Sequence, residues 1–269
     1  MQEYKMPTRI QNSNKGTFGK VLNFCGSENY IGAAYLATLS SLKIGAGLSA
    51  LATEQRVIGS VSSLLPEAVF LTRKQGLEKI QDFTVVLIGC GLGLNSASEK
   101  IFNHVVKRLQ KETIPTVIDA DGLNLLSKSN LSLPKFCILT PHPLEAARLL
   151  NCSLEKVLDN LEEAAKNITQ KYNCTTVLKT HHTIICDTDF NIHINQNGNS
   201  ALAKAGSGDV LAGIIAGLLA QGLNGFEASK LGVYLHARAG EIASKSLTEY
   251  SVLATDVIKN LPLAIQEII

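Results

Sequence analysis

Residues Asn199 to Asp209 read Asn-Ser-Ala-Leu-Ala-Lys-Ala-Gly-Ser-Gly-Asp and run straight into the apolar, small-residue stretch Val210 to Ala220. Gly206 and Gly208 let the backbone approach a ligand with no Cβ in the way. A helix that starts here turns the free N–H groups of Gly206, Ser207 and Gly208 into an anion site, because its N-terminus carries partial positive charge. Asp209 has two readings. It is either an N-cap accepting bonds from the first turn or a general base beside a bound phosphate. The paired glycines favour the second, since a plain cap does not need glycine at both positions.

Other candidate residues recur after short apolar runs. Gly26 to Ala34 (Gly-Ser-Glu-Asn-Tyr-Ile-Gly-Ala-Ala) could seat a flat ring against backbone or simply serve close helix packing. Gly89-Cys-Gly-Leu-Gly93 suggests a tight turn near a ligand, but it falls short of the dinucleotide-binding Gly-x-Gly-x-x-Gly. Asp119 and Asp121 could orient a metal–phosphate complex or satisfy a loop turn. In Thr140-Pro-His-Pro-Leu-Glu145 two prolines fix the backbone around His142. Glu145 is favoured there by a helix dipole, or helps hold Mg²⁺ through water. Lys179 ends an apolar run and suggests a nearby anion. His181 and His182 are adjacent, so in an extended segment they face opposite ways and make a poor metal pair.

The elements that must position these loops follow from periodicity. Strands are expected at 20–25, 47–52, 68–71, 85–88, 116–119, 136–140, 175–178, 183–187 and 192–195. Val85-Val-Leu-Ile88 is apolar throughout, as in parallel strands covered on both faces. Helices are expected at 31–44, 96–110, 143–150, 153–171, 207–221, 225–247 and 253–268. The alternation predicts an α/β fold with a mostly parallel sheet, and ligands in such sheets bind beyond the strands' carboxyl ends.

The 269 residues carry a net charge of +2, with no long basic or acidic run, which argues against a dedicated nucleic-acid or membrane-surface protein. The longest apolar run is too short to span a bilayer, and the N-terminus has no signal-peptide pattern. Six scattered cysteines without a Cys-x-x-Cys pair read as buried free thiols of a reducing, cytoplasmic compartment. With no linker evident, residues 1–269 read as a single domain.

Taken in order, Lys15-Gly-Thr-Phe-Gly19, Gly26-Ser27 with Tyr30 to Ala34, Gly89 to Gly93, Asp119-Ala-Asp121, Leu139 to Glu145, Lys179 to Thr183 and Asn199 to Asp209 resemble the ADP/ATP-dependent NAD(P)H-hydrate dehydratases. That family lies within the ribokinase superfamily, and the likeness runs from about Lys15 to the C-terminus. The Gly-x-Gly-Asp ending is common to the superfamily. Thr140-Pro-His-Pro and the early Gly-Ala-Ala are more specific.

The resemblance implies a three-layer αβα sandwich and a repair reaction. Hydrated NADH or NADPH, in its S epimer, is phosphorylated on the ring hydroxyl, and phosphate then leaves. Asp209 would be the base, with Gly206, Ser207 and Gly208 as the anion hole. Lys179, Thr180, His181, His182, Thr183 and Gly208 would contact the nucleotide. Ala33, Ala34, Gly91, His142 and Asp209 would contact the hydrated dinucleotide. ADP is the expected donor, with ATP as the alternative, Mg²⁺ accompanies it on unassigned ligands, and a homo-oligomer such as a tetramer is expected. The motifs leave no room for the epimerase domain fused to many relatives. Thr180, Cys90 and Leu144 replace the family's usual Gly, Pro and Gly. Two rival readings remain, a small-molecule kinase of the vitamin type and a nucleotide sensor without chemistry.

Overall fold

The computed structural model describes residues 4–269. Among these residues nine strands form one sheet: β1 (Lys20–Phe24), β2 (Leu48–Thr53), β3 (Val69–Thr72), β4 (Val85–Ile88), β5 (Thr116–Ile118), β6 (Cys137–Leu139), β7 (Thr175–Leu178), β8 (Ile184–Cys186) and β9 (Ile192–Ile194). Each lies within one residue of its expected ends. The spatial order is β3-β2-β1-β4-β5-β6-β7-β8-β9. Pairing is parallel from β3 to β7, and β8 and β9 are added antiparallel.

The helices are α1 (Ile31–Lys43), α2 (Gln55–Val61), α3 (Arg73–Glu78), α4 (Ser96–Leu109), α5 (Asp121–Ser127), α6 (Pro143–Leu150), α7 (Leu154–Asp159), α8 (Leu161–Tyr172), α9 (Ser207–Ala220), α10 (Gly225–Ser251) and α11 (Ala254–Gln266). The continuous apolar strands divide their side chains between two cores. Val85 and Leu87 join the core with α1, α9, α10 and α11, while Val86 and Ile88 join the core with α4, α5, α6 and α8. The result is the expected three-layer αβα arrangement.

Three short helices, α2, α3 and α5, escape the periodicity reading because six or seven residues hold too few turns to display it. The helix expected over 153–171 is interrupted at Asn160 (φ −151°, ψ 88°), whose side chain caps α8 by accepting the Glu163 N–H at 3.0 Å. A non-helical residue, Thr248 (φ 63°), interrupts α10 next to its expected end.

Apolar on all sides, α9 is buried between the sheet, α1 and α10. Gly213 and Gly217 allow α1 to come close. A Cβ on Gly213 would lie 2.0 Å from Ser40 Oγ and 2.3 Å from the Ala37 carbonyl oxygen. Alanine gains about 1 kcal/mol of helix propensity over glycine, whereas overpacking costs about 1–3 kcal/mol and backbone is the obstacle here. Gly213→Ala is therefore expected to lower the urea-unfolding midpoint.

Candidate active site

The strand order reverses between β1 and β4, since β2 and β3 extend one way and β5 to β7 the other. That point marks the ligand crevice of an open parallel sheet. The loops there are tied together. The Gly26 N–H donates to the Cys90 carbonyl at 2.8 Å. Arg73, at the start of α3, donates to the carbonyls of Gly26 (2.9 Å) and Leu92 (3.1 Å) and pairs with Glu54. Gly89 (φ 127°) is required by contact, because a Cβ would lie 2.0 Å from the Asp119 carbonyl oxygen.

Asp209 is the third residue of α9, and the N-cap is Gly206 in the left-handed region (φ 89°). The plain capping reading of Asp209 is thereby removed. Ligand-capable atoms of Cys90, Asp119 and Asp209 all lie within 4.8 Å of one another. Burial, with the Asp119 charge, pushes the Asp209 carboxyl up to about 6, against the opposing pull of the Cys90 thiol and Lys179. Asp119 is 1% exposed and accepts from Lys179 Nζ at 2.7 Å. Burial disfavours the Lys179 charge, but Asp119 and Glu145 outweigh it and raise its pKa. Asp121 turns instead to the Gly93 N–H at 2.7 Å, the loop-satisfying role.

His142 is the N-cap of α6. Its Nδ1 accepts from the N–H groups of Leu144 (3.2 Å) and Glu145 (3.4 Å), and Glu145 accepts the His142 backbone N–H at 2.9 Å. Burial and then Lys179 lower the His142 pKa. Its Nε2 lies 3.4 Å from Glu145 Oε1. Burial lifts Glu145 to about 7 despite the pull of Lys179, and Asp119 adds to the rise.

The expected nucleotide residues Lys179, Thr180, His181, Thr183 and Gly208 line one cleft of about 710 Å³, together with His142, Lys204, Ser207 and His236. His182 does not line it. The expectation that His181 and His182 face apart fails. Residues 180–182 form a bend closed by the Thr180 hydroxyl on the His182 carbonyl (2.6 Å), and the two rings lie 4.4 Å apart. Neither joins a metal-capable group among the described residues.

Two expected contacts change character. The Ser207 N–H donates to the Lys204 carbonyl at 3.2 Å, so the N–H groups at this turn with no partner among the described residues are those of Gly206, Gly208 and Asp209. Ala34 has no exposed surface and lies directly under Gly26, whereas Ala33 is partly exposed and abuts Gly91. Arg73 and His236 carried no signal in the sequence, being a lone Arg and a lone His on ordinary helices.

The model of the NAD(P)H-hydrate dehydratase family matches residues 21–263. The chain belongs to that family. Among the dehydratase relatives, the ADP-dependent (S)-NAD(P)H-hydrate dehydratase of Neisseria meningitidis serogroup B is 38% identical, over 88% of this chain and 81% of that protein. The chain spans about half the length of the bifunctional NAD(P)H-hydrate repair enzyme of Moorella thermoacetica, at 34% identity over 98% of this chain and 52% of that protein. The crystal structure of the Bacillus subtilis ADP/ATP-dependent dehydratase, grown with ATP and Mg²⁺, superposes with a TM-score of 0.88 at 30% identity, covering 98% of this chain and 95% of that one.

Proposed function

We propose that this chain restores the S epimer of hydrated NADH or NADPH to the reduced dinucleotide, using ADP or ATP as phosphoryl donor. One observation carries the reading. The Asp209 carboxylate stands at the start of α9 beside the unpartnered N–H groups of Gly206 and Gly208, within 4.8 Å of Asp119, which is paired to Lys179. A carboxylate beside free N–H donors supports the reading of a base next to an anion site. The names of the dehydratase relatives support the substrate and donor.

Hydroxide is a poor leaving group and phosphate a good one. Asp209 takes the proton of the ring hydroxyl as its oxygen attacks the terminal phosphorus. The N–H groups at the helix start hold the transferring group's oxygens. The ring-nitrogen lone pair then expels phosphate, and loss of a ring proton completes the double bond. Phosphate leaves with AMP when ADP is the donor, or with ADP when it is ATP. Gly91, Ala33 and His142 border the dinucleotide side, with Ala34 beneath. Lys179, Thr180, His181, Thr183 and Gly208 border the nucleotide side.

Mg²⁺ prefers oxygen ligands and keeps several waters. Cys90, Asp119 and Asp209 do not suit it, because one donor is a thiol and another carboxylate is already neutralised by Lys179. Glu145, an all-oxygen donor 4.0 Å from Lys179 and already accepting the His142 N–H, would meet it only through water, together with the nucleotide phosphates. Bound there, Mg²⁺ would offset phosphate charge and favour ionised Glu145.

Purified protein given ADP or ATP, Mg²⁺ and hydrated NADH should regenerate the reduced-nicotinamide absorbance. A stable phosphoester with no such recovery would defeat the reading. The active form of Asp209 is the ionised one, so kcat/KM should fall as acid takes the pH down through about 6. A rate unchanged from neutral pH to well below this value would remove Asp209 as the base.

A further inference from the structure

Ser207 lies between the two glycines of the anion-binding turn and is held at both ends. Its N–H donates to the Lys204 carbonyl. Its hydroxyl lies 3.1 Å from His236 Nε2 on α10, with Ser207 6% and His236 7% exposed. The backbone beneath His236 is fixed by close packing one turn earlier. A Cβ on Gly232 would stand 2.9 Å from Ile215 Cγ1 of α9. Burial drives the His236 pKa down to about 4 against the opposing pull of the Ser207 backbone, and the Lys179 charge adds to the fall. The ring therefore stays neutral and is a hydrogen-bonding partner rather than a charge.

Gly206 and Gly208 are the least restrained residue type a turn can contain. The value of an anion hole lies in donors that need no rearrangement when charge develops. The single side chain between the glycines gives no N–H to the hole but is anchored to a second helix. We propose that His236 is a positioning residue for phosphoryl transfer. By holding the Ser207 hydroxyl it fixes the turn whose Gly206, Gly208 and Asp209 N–H groups receive the terminal phosphate of the nucleotide. The inference rests on the proposed function for its kinetic arm, but its binding arm needs only a nucleoside diphosphate.

The test is a double-mutant cycle on Ser207→Ala and His236→Leu, with His236→Gln as the variant that keeps a hydrogen-bonding end. Dissociation constants for ADP and adenosine are measured by calorimetry, and kcat and KM with hydrated NADH. Each single variant should weaken ADP about tenfold, the coupling expected of neighbouring groups, with adenosine unchanged. The kcat should fall about tenfold or more, the KM for the hydrate should hold, and the double variant should be no worse than the poorer single. His236→Gln should recover most of the loss. Folded single variants that bind ADP as wild type does, that lose ADP and adenosine alike, or whose losses multiply would each overturn the proposal. Wild type that binds ADP but never regenerates reduced nicotinamide would defeat the proposed function, while the ADP cycle would still decide the role of His236.

Discussion

Asp209→Asn should cut turnover by orders of magnitude and at the same time raise the melting temperature. General-base catalysis contributes about 10²–10⁴-fold, so kcat should fall by about that factor. The stability gain follows from linkage. Burial and Asp119 raise the Asp209 carboxyl to about 6 in the folded protein, above its ordinary value of 3.8. A raised carboxyl penalises folding by an amount that grows as pH rises from about 4 to about 6 and is complete above that. With about 1.4 kcal/mol per pK unit, and water reaching the partly exposed side chain, the penalty at neutral pH is on the order of 2 kcal/mol. The amide removes it, and a rise of a few degrees in Tm is expected for a chain of this length. Below about pH 4 the difference from wild type should vanish. A variant that loses activity and melts lower at neutral pH would show Asp209 to be a structural group.

Lys179→Met should be the most destabilising single change in the site. Asp119 is buried and meets the Lys179 ammonium at 2.7 Å, with Glu145 at 4.0 Å from the same ammonium. Removing one partner of a buried pair leaves an uncompensated charge, at about 3–5 kcal/mol. Lys179 is 19% exposed, which places the expectation at the lower end, about 3 kcal/mol. Without the ammonium, the Glu145 carboxyl should move further up from about 7, since Lys179 is what pulls it down. Urea unfolding measures the loss. The double variant Asp119→Asn/Lys179→Met removes both charges and should regain most of the stability while staying inactive. If the double variant is as unstable as the single, charge pairing is not what Lys179 supplies.

Much of the scaffold was legible because the middle strands are buried on both faces. Val85-Val-Leu-Ile88 has no polar face to confuse its reading, and the same holds for Val117-Ile118. The loop residues were legible for a related reason. In a parallel sheet every strand delivers the residues just past its carboxyl end to one edge, so Asp119, His142 and Lys179 could be placed together from position alone. The helix over 153–171 was misjudged because Asn160 competes with the helix through its own side chain. The histidine pair was misjudged because an extended segment was assumed where the Thr180 hydroxyl closes a bend.

By itself the sequence determined the strand and helix order, the glycine-flanked start of α9 with Asp209 on it, and the family to which the chain belongs. These depend on local period, on glycine's backbone freedom and on motif order, all of which are written along the chain. The tertiary structure decided how charge and hydrogen bonds are shared. It paired Lys179 with Asp119, 60 residues away, took the Ser207 hydroxyl to His236 and its N–H to Lys204, buried Ala34, and turned His142 into a cap. Neutralising a charge or satisfying a donor out of water requires whichever partner the fold brings within about 3 Å, and that distance is set by packing rather than by spacing in the chain.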